Sequence, residues 1–313
     1  MTTLAARRGA FRALHGRGCF VSPNPWDIGS ARYLQHLGFP ALATTSAGFA
    51  FSQGLPDSAG DVVVSRDRNL AYIASIASSV DIPVSADFMA GYGTDPNDVF
   101  ESVGRCIATG IAGLSIEDAT GDSMSPLYGL REAVARVKAA RRAIDASGAD
   151  VLLTARAECY HVGHPEPFSE SVRRLRAYAD AGADVLFAPG PTTPAEIEGL
   201  VAAVAPKPLN LLVVGDIGLT VKQIADLGVR RISVGGALAL TAWGAFMQAA
   251  QTLRVSGSFA PLARAGAYAE LNGLFATELH GRKVDDDGEC GRSESLDPDG
   301  VGDIADEGVG HRG

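Results

Sequence analysis

The sequence predicts an α/β fold, a (β/α)8 TIM-type barrel followed by one further helix. Three observations carry this. Short β-branched runs alternate with helix-like stretches at the spacing of βα units, the pattern of a parallel sheet covered by helices. Eight candidate strands can be counted, the number that closes a barrel. Three of those runs end on charged residues: Asp87 before a glycine turn, Glu117-Asp118, and Arg156 with Glu158. Barrel strands deliver chemistry to their C-terminal rim in this way. An open doubly wound sheet is the alternative architecture.

The eight runs lie at residues 19–22, 41–45, 84–87, 113–117, 151–155, 184–188, 210–214 and 231–234. Helix punctuation supports the segments between them. Asp95-Pro96 opens a helix over 97–109, Thr193-Pro194 one over 195–204, and Thr220 one over 221–227 before Gly228. Leu37-Gly38, Gly110-Ile111-Ala112-Gly113, Ala181-Gly182 and Leu227-Gly228 stand just before strands, where a glycine accepts the left-handed conformation that ends a helix. Residues 261–280 carry an amphipathic set, Leu262, Tyr268, Leu271, Leu274, Phe275 and Leu279, that must pack on something, a neighbouring subunit included.

Length and composition suit one barrel domain over residues 1–281: 313 residues, 46% hydrophobic and 20% charged. The net charge of −9 is uneven, because residues 282–313 hold ten Asp/Glu against four Lys/Arg. That Gly-, Asp-, Glu- and Ser-rich segment reads as a disordered acidic tail, since it cannot bury enough surface to offset its ordering entropy. Neither part resembles a nucleic-acid binder. Cys19, Cys106, Cys159 and Cys290 are far apart without metal or disulfide spacing, which fits a reducing cytoplasm. No signal peptide and no run of 18 apolar residues is present, so neither secretion nor a membrane partner is expected.

A series of motifs occurs in order: Gly54-Leu55-Pro56-Asp57, then Asp87 with Gly91-Tyr92-Gly93, Glu117-Asp118, Ala155-Arg156-Ala157-Glu158, Ala181-Gly182-Ala183-Asp184 and Leu227-Gly228-Val229. In this order the chain resembles the isocitrate lyase/phosphoenolpyruvate mutase superfamily over roughly residues 10–280. The resemblance implies a modified barrel in which Mg2+, with Mn2+ as the alternative, holds an α-keto acid or its enolate at the C-terminal rim. Asp87 is the expected direct metal ligand, with Glu117 and Asp57 acting through water. That set suits Mg2+, which keeps several waters and needs only one or two carboxylates. Arg156 matches the arginine that contacts substrate carboxylate or oxyanion, a role suited to a planar, permanently charged group. Thr45, Ser46 and Ala47 match a loop offering backbone N–H and hydroxyl groups to the same carboxylate. Gly91 and Asn210 are further substrate-side candidates, and Tyr92 could polarise or protonate a substrate oxygen. The resemblance also implies a homo-oligomer, a dimer or a tetramer with exchanged C-terminal helices.

Two departures bear on function. Where the family carries a second acid two residues after Asp87, this chain has Met89, which cannot hold a metal-bound water as a carboxylate does. Where the carbon–carbon lyases carry a Lys- and Cys-containing loop, residues 119–129 contain no Cys, Lys or His. Ala119 replaces the lysine of the mutases, which argues against phosphonate chemistry. Plainer roles stand beside several candidates: a salt bridge to Arg156 for Glu117, orientation of Arg156 for Glu158, a buried hydrophobe for Cys159, and loop structure for His161 and His164.

The leading expectation is a carbon–carbon lyase that cleaves, or decarboxylates, a small 2-hydroxy or 2-oxo dicarboxylate through an enolate, in the manner of an isocitrate or methylisocitrate lyase or of an oxaloacetate decarboxylase. The alternatives are a hydrolase or a bond-forming enzyme on the same scaffold, and an α-keto acid-binding protein without turnover.

Overall fold

Each of the eight predicted runs becomes a strand, and each is followed by helix. The computed structural model describes residues 2–57, 64–93 and 95–281. In chain order the described elements are α1 Leu4–Gly16, β1 Phe20–Ser22, α2 Ile28–His36, β2 Leu42–Ala43, α3 Ser46–Ser52, α4 Arg66–Ser79, β3 Val84–Asp87, α5 Pro96–Ile107, β4 Gly113–Glu117, α6 Leu130–Ser147 and β5 Leu152–Arg156. They continue with α7 Pro167–Asp180, β6 Val185–Phe187, α8 Pro194–Val204, β7 Leu209–Leu212, α9 Val221–Asp226, β8 Arg231–Ser233, α10 Ala237–Ser256 and α11 Tyr268–Gly281. The acidic tail expected at 282–313 lies outside the described residues.

The strands are all parallel and run β1-β8-β7-β6-β5-β4-β3-β2 around a nearly closed barrel, so the doubly wound alternative falls away. At the remaining seam, between β1 and β2, the Ala43 N–H donates to Pro23 O at 3.1 Å. Asn24 clamps the same seam. Its Nδ2 donates to Thr44 O at 2.9 Å, and its Oδ1 accepts from the N–H groups of Val234 and Gly235, both at 2.9 Å. One buried amide thereby ties three strand ends together.

Predicted punctuation acts as capping. Asp95 and Thr220 form capping boxes at α5 and α9, and Thr193 caps α8. Strand β2 is shorter than predicted because the chain turns at Thr45, whose Oγ1 accepts from Gly48 N at 3.2 Å and starts α3. The single helix expected over 261–280 is divided into a 3-10 turn, Ala260–Arg264, and α11. Pro261 suits the start of the short turn, and Gly266 disfavours continuation into one long helix.

Helix α1 plugs the N-terminal end of the barrel. Phe11 is fully buried in a cluster with Phe20, Ala41, Ala112, Leu152 and Val185. Gly113 makes the close approach feasible, since a Cβ there would stand 2.6 Å from Phe11 Cε1. His15, one turn on, is wedged edge-on between the Phe11 and Phe20 rings, with Nδ1 2.8 Å from Phe11 O. Burial, reinforced by the positive charge of Arg231, pushes its pKa down from the usual 6.5 to about 3.

Two predictions follow from this plug. Gly113→Ala should lower stability by ~1–3 kcal/mol, as overpacking does. The additional substitution Phe11→Leu should recover much of that loss, as urea denaturation midpoints of the single and double variants will show. His15 is neutral when folded and protonates below about 6.5 when unfolded, so its contribution is intact above that pH and is lost as pH falls toward 3. The penalty approaches ~1.4 kcal/mol per pH decade across that window. His15→Leu should therefore lose less stability than wild type between pH 7 and pH 4; equal losses would show that His15 is not the group responsible.

Candidate active site

Strand register places three charged side chains at one rim. Glu117 pairs with Arg156 across β4 and β5, and Asp87 ends β3 beside Ser115 of β4. Arg156 is the hub: its Nη1 lies 3.3 Å from Glu117 Oε2 and 4.0 Å from Asp87 Oδ1, and its Nε pairs with Glu158 Oε1. The guanidinium also stacks over Phe187, 5.1 Å from Cζ to the ring centroid. Burial disfavours its charge, but the three carboxylates outweigh that effect and hold it protonated.

The acids respond differently to the same environment. Burial pushes the Glu117 carboxyl up to about 8, against the opposing pull of Arg156. Burial also raises Glu158, yet Arg156 and His161, whose Nδ1 is 2.9 Å from Glu158 Oε2, hold it below the usual carboxylate range. Glu158 thus fixes the guanidinium from behind, as its position beside Arg156 suggests. Glu117 is both the salt-bridge partner of Arg156 and a rim acid.

Two connected cavities meet at Arg156 and His161. The deeper one, about 350 Å³, runs into the barrel past Asp57, Asp87, Thr45, Ser46 and Ala47. The outer one, about 560 Å³, is bordered by Asp57, Glu117, Tyr92, Met89 and the loop after β4. Of the expected substrate-side residues, Asn210 is buried on β7 and lines the deeper cavity. Gly91 lines neither: its φ of +87° serves the turn after β3, where it packs against Val99. In the Thr45-Ser46-Ala47 turn several donors are already engaged. The Thr45 N–H donates to Tyr72 Oη at 3.3 Å and the Ser46 N–H to Asp87 Oδ2 at 3.1 Å. The latter bond orients the Asp87 carboxylate.

Met89 and Tyr92 both adopt left-handed backbone, φ +48° and +52°, and the tyrosine Oη donates to Met89 Sδ at 3.4 Å. Burial, then the nearby Asp87 charge, holds the Tyr92 phenol protonated. The turn is held by a residue that sequence reasoning missed. Arg136 of α6, 2% exposed, donates from Nη2 to Ala90 O at 2.7 Å and Gly93 O at 2.8 Å, and stacks on Tyr128. A helical arginine carries no local signal of such a role.

Asp118 faces away from both cavities. It accepts from Tyr178 Oη at 2.5 Å, Arg174 Nη1 at 2.9 Å and Glu158 N at 2.8 Å, and so braces the strand-five loop. Cys159 is fully buried, and burial pushes its thiol up to about 11, which leaves it inert at neutral pH. His164 accepts from Glu166 N at 3.1 Å, a loop-structural role. The loop after β4 is compact, with a bridge between Ala119 and Leu127 and Thr120 Oγ1 donating to Ser125 O at 2.6 Å.

The donor set suits a hard divalent cation. Asp87 and Glu117 offer carboxylate oxygens at one rim, and Asp57 borders the same cavities. Among the described residues no group of three His, Cys, Asp or Glu side chains is clustered tightly enough to enclose a metal. Mg2+ needs no such cage, because it binds through one or two carboxylates and keeps its waters. A cation there would also reverse the effect of burial on Glu117.

The family model for phosphoenolpyruvate phosphomutase matches residues 11–254. An uncharacterised Mycobacterium tuberculosis protein is 32% identical over 263 residues, 84% of this chain and 94% of the relative. An oxaloacetate decarboxylase from Ectopseudomonas mendocina is 32% identical over 239 residues, 74% of this chain and 78% of the relative. Among solved structures, a Burkholderia cenocepacia protein provisionally named a lyase/mutase superposes with a TM-score of 0.83 at 44% identity, covering 87% of this chain and 97% of the other. Oxaloacetate acetylhydrolase bound to oxalate gives 0.77 at 27% identity, covering 90% and 99%. A 2,3-dimethylmalate lyase gives 0.76 at 28%, covering 90% and 97%. Enzymes of this group act on small carboxylic acids and generally use a divalent metal, typically Mg2+. The chain belongs to the phosphoenolpyruvate mutase/isocitrate lyase superfamily.

Proposed function

We propose that the chain is a Mg2+-dependent lyase that cleaves a carbon–carbon bond of a small 2-hydroxy or 2-oxo dicarboxylate through an enolate. The observation that carries this reading is Arg156, fixed from behind by Glu158 while its Nη1 faces Glu117 and Asp87 where two cavities meet. A guanidinium so held is preorganised for an oxygen that gains charge as a bond breaks.

In this reading Asp87 would hold the ion directly, with Glu117 and Asp57 through water; when bound, it would supply Lewis-acid polarisation of the substrate's 2-oxygen. Arg156 binds and orients the adjoining carboxylate or oxyanion. For a 2-hydroxy diacid, the hydroxyl proton passes to a rim carboxylate, the C2–C3 bond breaks as C2 becomes a carbonyl, and the electron pair passes to C3 as an enolate. Tyr92, kept protonated by burial and bordering the outer cavity, would be the group that returns a proton to C3. The loop after β4 offers no cysteine for this step, and Cys159 is buried away from it.

A second reading, hydrolysis of a 1,3-dicarbonyl acid, is favoured by the likeness to oxaloacetate acetylhydrolase. It keeps the same binding residues and differs in the products.

Incubation of the Mg2+-supplemented protein with a panel of 2-hydroxy and 2-oxo diacids, followed by mass spectrometry, separates the outcomes. Cleavage into a 2-oxo acid and a second acid supports the lyase, water incorporation into two acids the hydrolase, and binding without consumption a silent protein. Asp87→Ala should reduce turnover at least 100-fold while leaving the far-ultraviolet circular dichroism unchanged; undiminished turnover would sink the metal assignment.

The proposed enzyme is a homo-oligomer. Helix α10 exposes Leu240, Trp243, Phe246 and Met247, with Phe246 60% accessible, an apolar surface that a second copy would cover. Light scattering should give a dimeric or tetrameric mass, and a monomeric peak at micromolar concentration would reject the assembly.

A further inference from the structure

Barrel interiors are ordinarily filled by bulky branched side chains. Here the deeper cavity descends between small polar ones, Thr44, Ser85, Ser115, Ser233 and Asn210, and ends at a charge. That charge is Arg231, the first residue of β8, which lines the cavity and is 3% exposed. Its Nε donates to Asn210 Oδ1 at 2.7 Å and one Nη to Thr154 Oγ1 at 3.3 Å. The other, Nη1, is buried without a partner, and no carboxylate among the described residues pairs with the group.

A buried cation without a counter-anion is costly, and proteins rarely retain one without use for it. Arg136 is also buried without a carboxylate and leaves Nε and Nη1 without partners, but its Nη2 holds two carbonyls of the turn after β3 and its plane stacks on Tyr128, which gives that charge a structural use. Arg231 has only neutral partners and a donor to spare. Burial lowers its pKa only to about 10, which leaves it charged at neutral pH. Asn210 holds its plane, because Asn210 Nδ2 is itself engaged with Ser233 Oγ at 3.0 Å.

We propose that Arg231 is the specificity-determining residue of a second carboxylate subsite at the floor of the barrel, binding the far carboxylate of the diacid whose other end is held at Arg156. Thr154, its hydroxyl partner, lies two residues before Arg156 on β5, on the order of 6–7 Å below the rim. That separation suits a four- or five-carbon diacid. The subsite deepens the lyase reading and rests on it for the direction of the substrate. It also bears on the reaction class. A carboxylate clamped by a guanidinium is stabilised as the anion, so cleavage that retains both carboxylates fits better than loss of the far one as carbon dioxide.

The test is calorimetric, in Mg2+ buffer, with malate, 2-methylmalate and 2-hydroxyglutarate against the monoesters of their far carboxylates. At least one diacid should bind ten-fold or more tighter than its ester. In Arg231→Gln that ratio should fall to within two-fold with the ester's affinity unchanged, and Arg231→Lys should give an intermediate ratio. The wild-type ratio requires no variant to fold: a ratio near one, or no diacid binding at all, overturns the subsite. So does an unaltered ratio in Arg231→Gln, or inorganic phosphate binding as tightly as any diacid without diacid preference. An Arg231-dependent ratio with no product formed upholds the subsite and sinks the lyase reading; turnover with an Arg231-independent ratio does the reverse.

Discussion

The site depends on how few positive charges face how many negative ones. Arg156 is shared among Asp87, Glu117 and Glu158, so the rim carries more negative charge than one guanidinium neutralises. Burial answers the excess by raising Glu117 to about 8. The rim is therefore electrostatically incomplete and favours a second cation. Deeper in the barrel the imbalance has the opposite sign, because Arg231 stands without an acid. In the proposed reading, a cation at the rim and an acid at the floor would complete a charge pattern that the chain leaves unfinished.

The supports of this pattern come from outside the strands. Arg136 on α6 holds the carbonyls of the turn after β3, and Arg174 on α7 holds Asp118, which in turn fixes the Glu158 N–H. The helices thus determine how rigidly the rim acids are presented. Met89 belongs to the same arrangement. Its carbonyl accepts from Glu117 N at 2.9 Å and its sulfur accepts from Tyr92, so the residue that replaces an acid still connects two strand ends.

Much of the fold could be read from the sequence because its signals are local. Strand runs, Asp95-Pro96, Thr193-Pro194 and Thr220 act through backbone preference and capping within a few residues, and each appears where its chemistry places it. The 3-10 turn before α11 was less legible, because an amphipathic pattern does not report where a helix begins. At the rim, Asp87, Glu117, Arg156 and Tyr92 were legible from strand-end position and family pattern. Arg231, Arg136 and Asn24 were not, because their roles rest on partners 20 to more than 200 positions away in the chain. Gly91 showed the converse: a motif residue that supports a turn and does not line the cavity.

The hydroxyl-lined interior also shapes how such a protein could diversify. Ser85, Ser115 and Ser233 project from strands, whose backbone positions are fixed by sheet hydrogen bonds. Exchanging one for alanine, threonine or valine alters the cavity by about a methyl group and leaves loops, rim acids and the outer helices in place. Barrel enzymes commonly vary their loops to acquire new substrates. This architecture allows a second route, in which ligand length and branching are selected from inside the barrel wall.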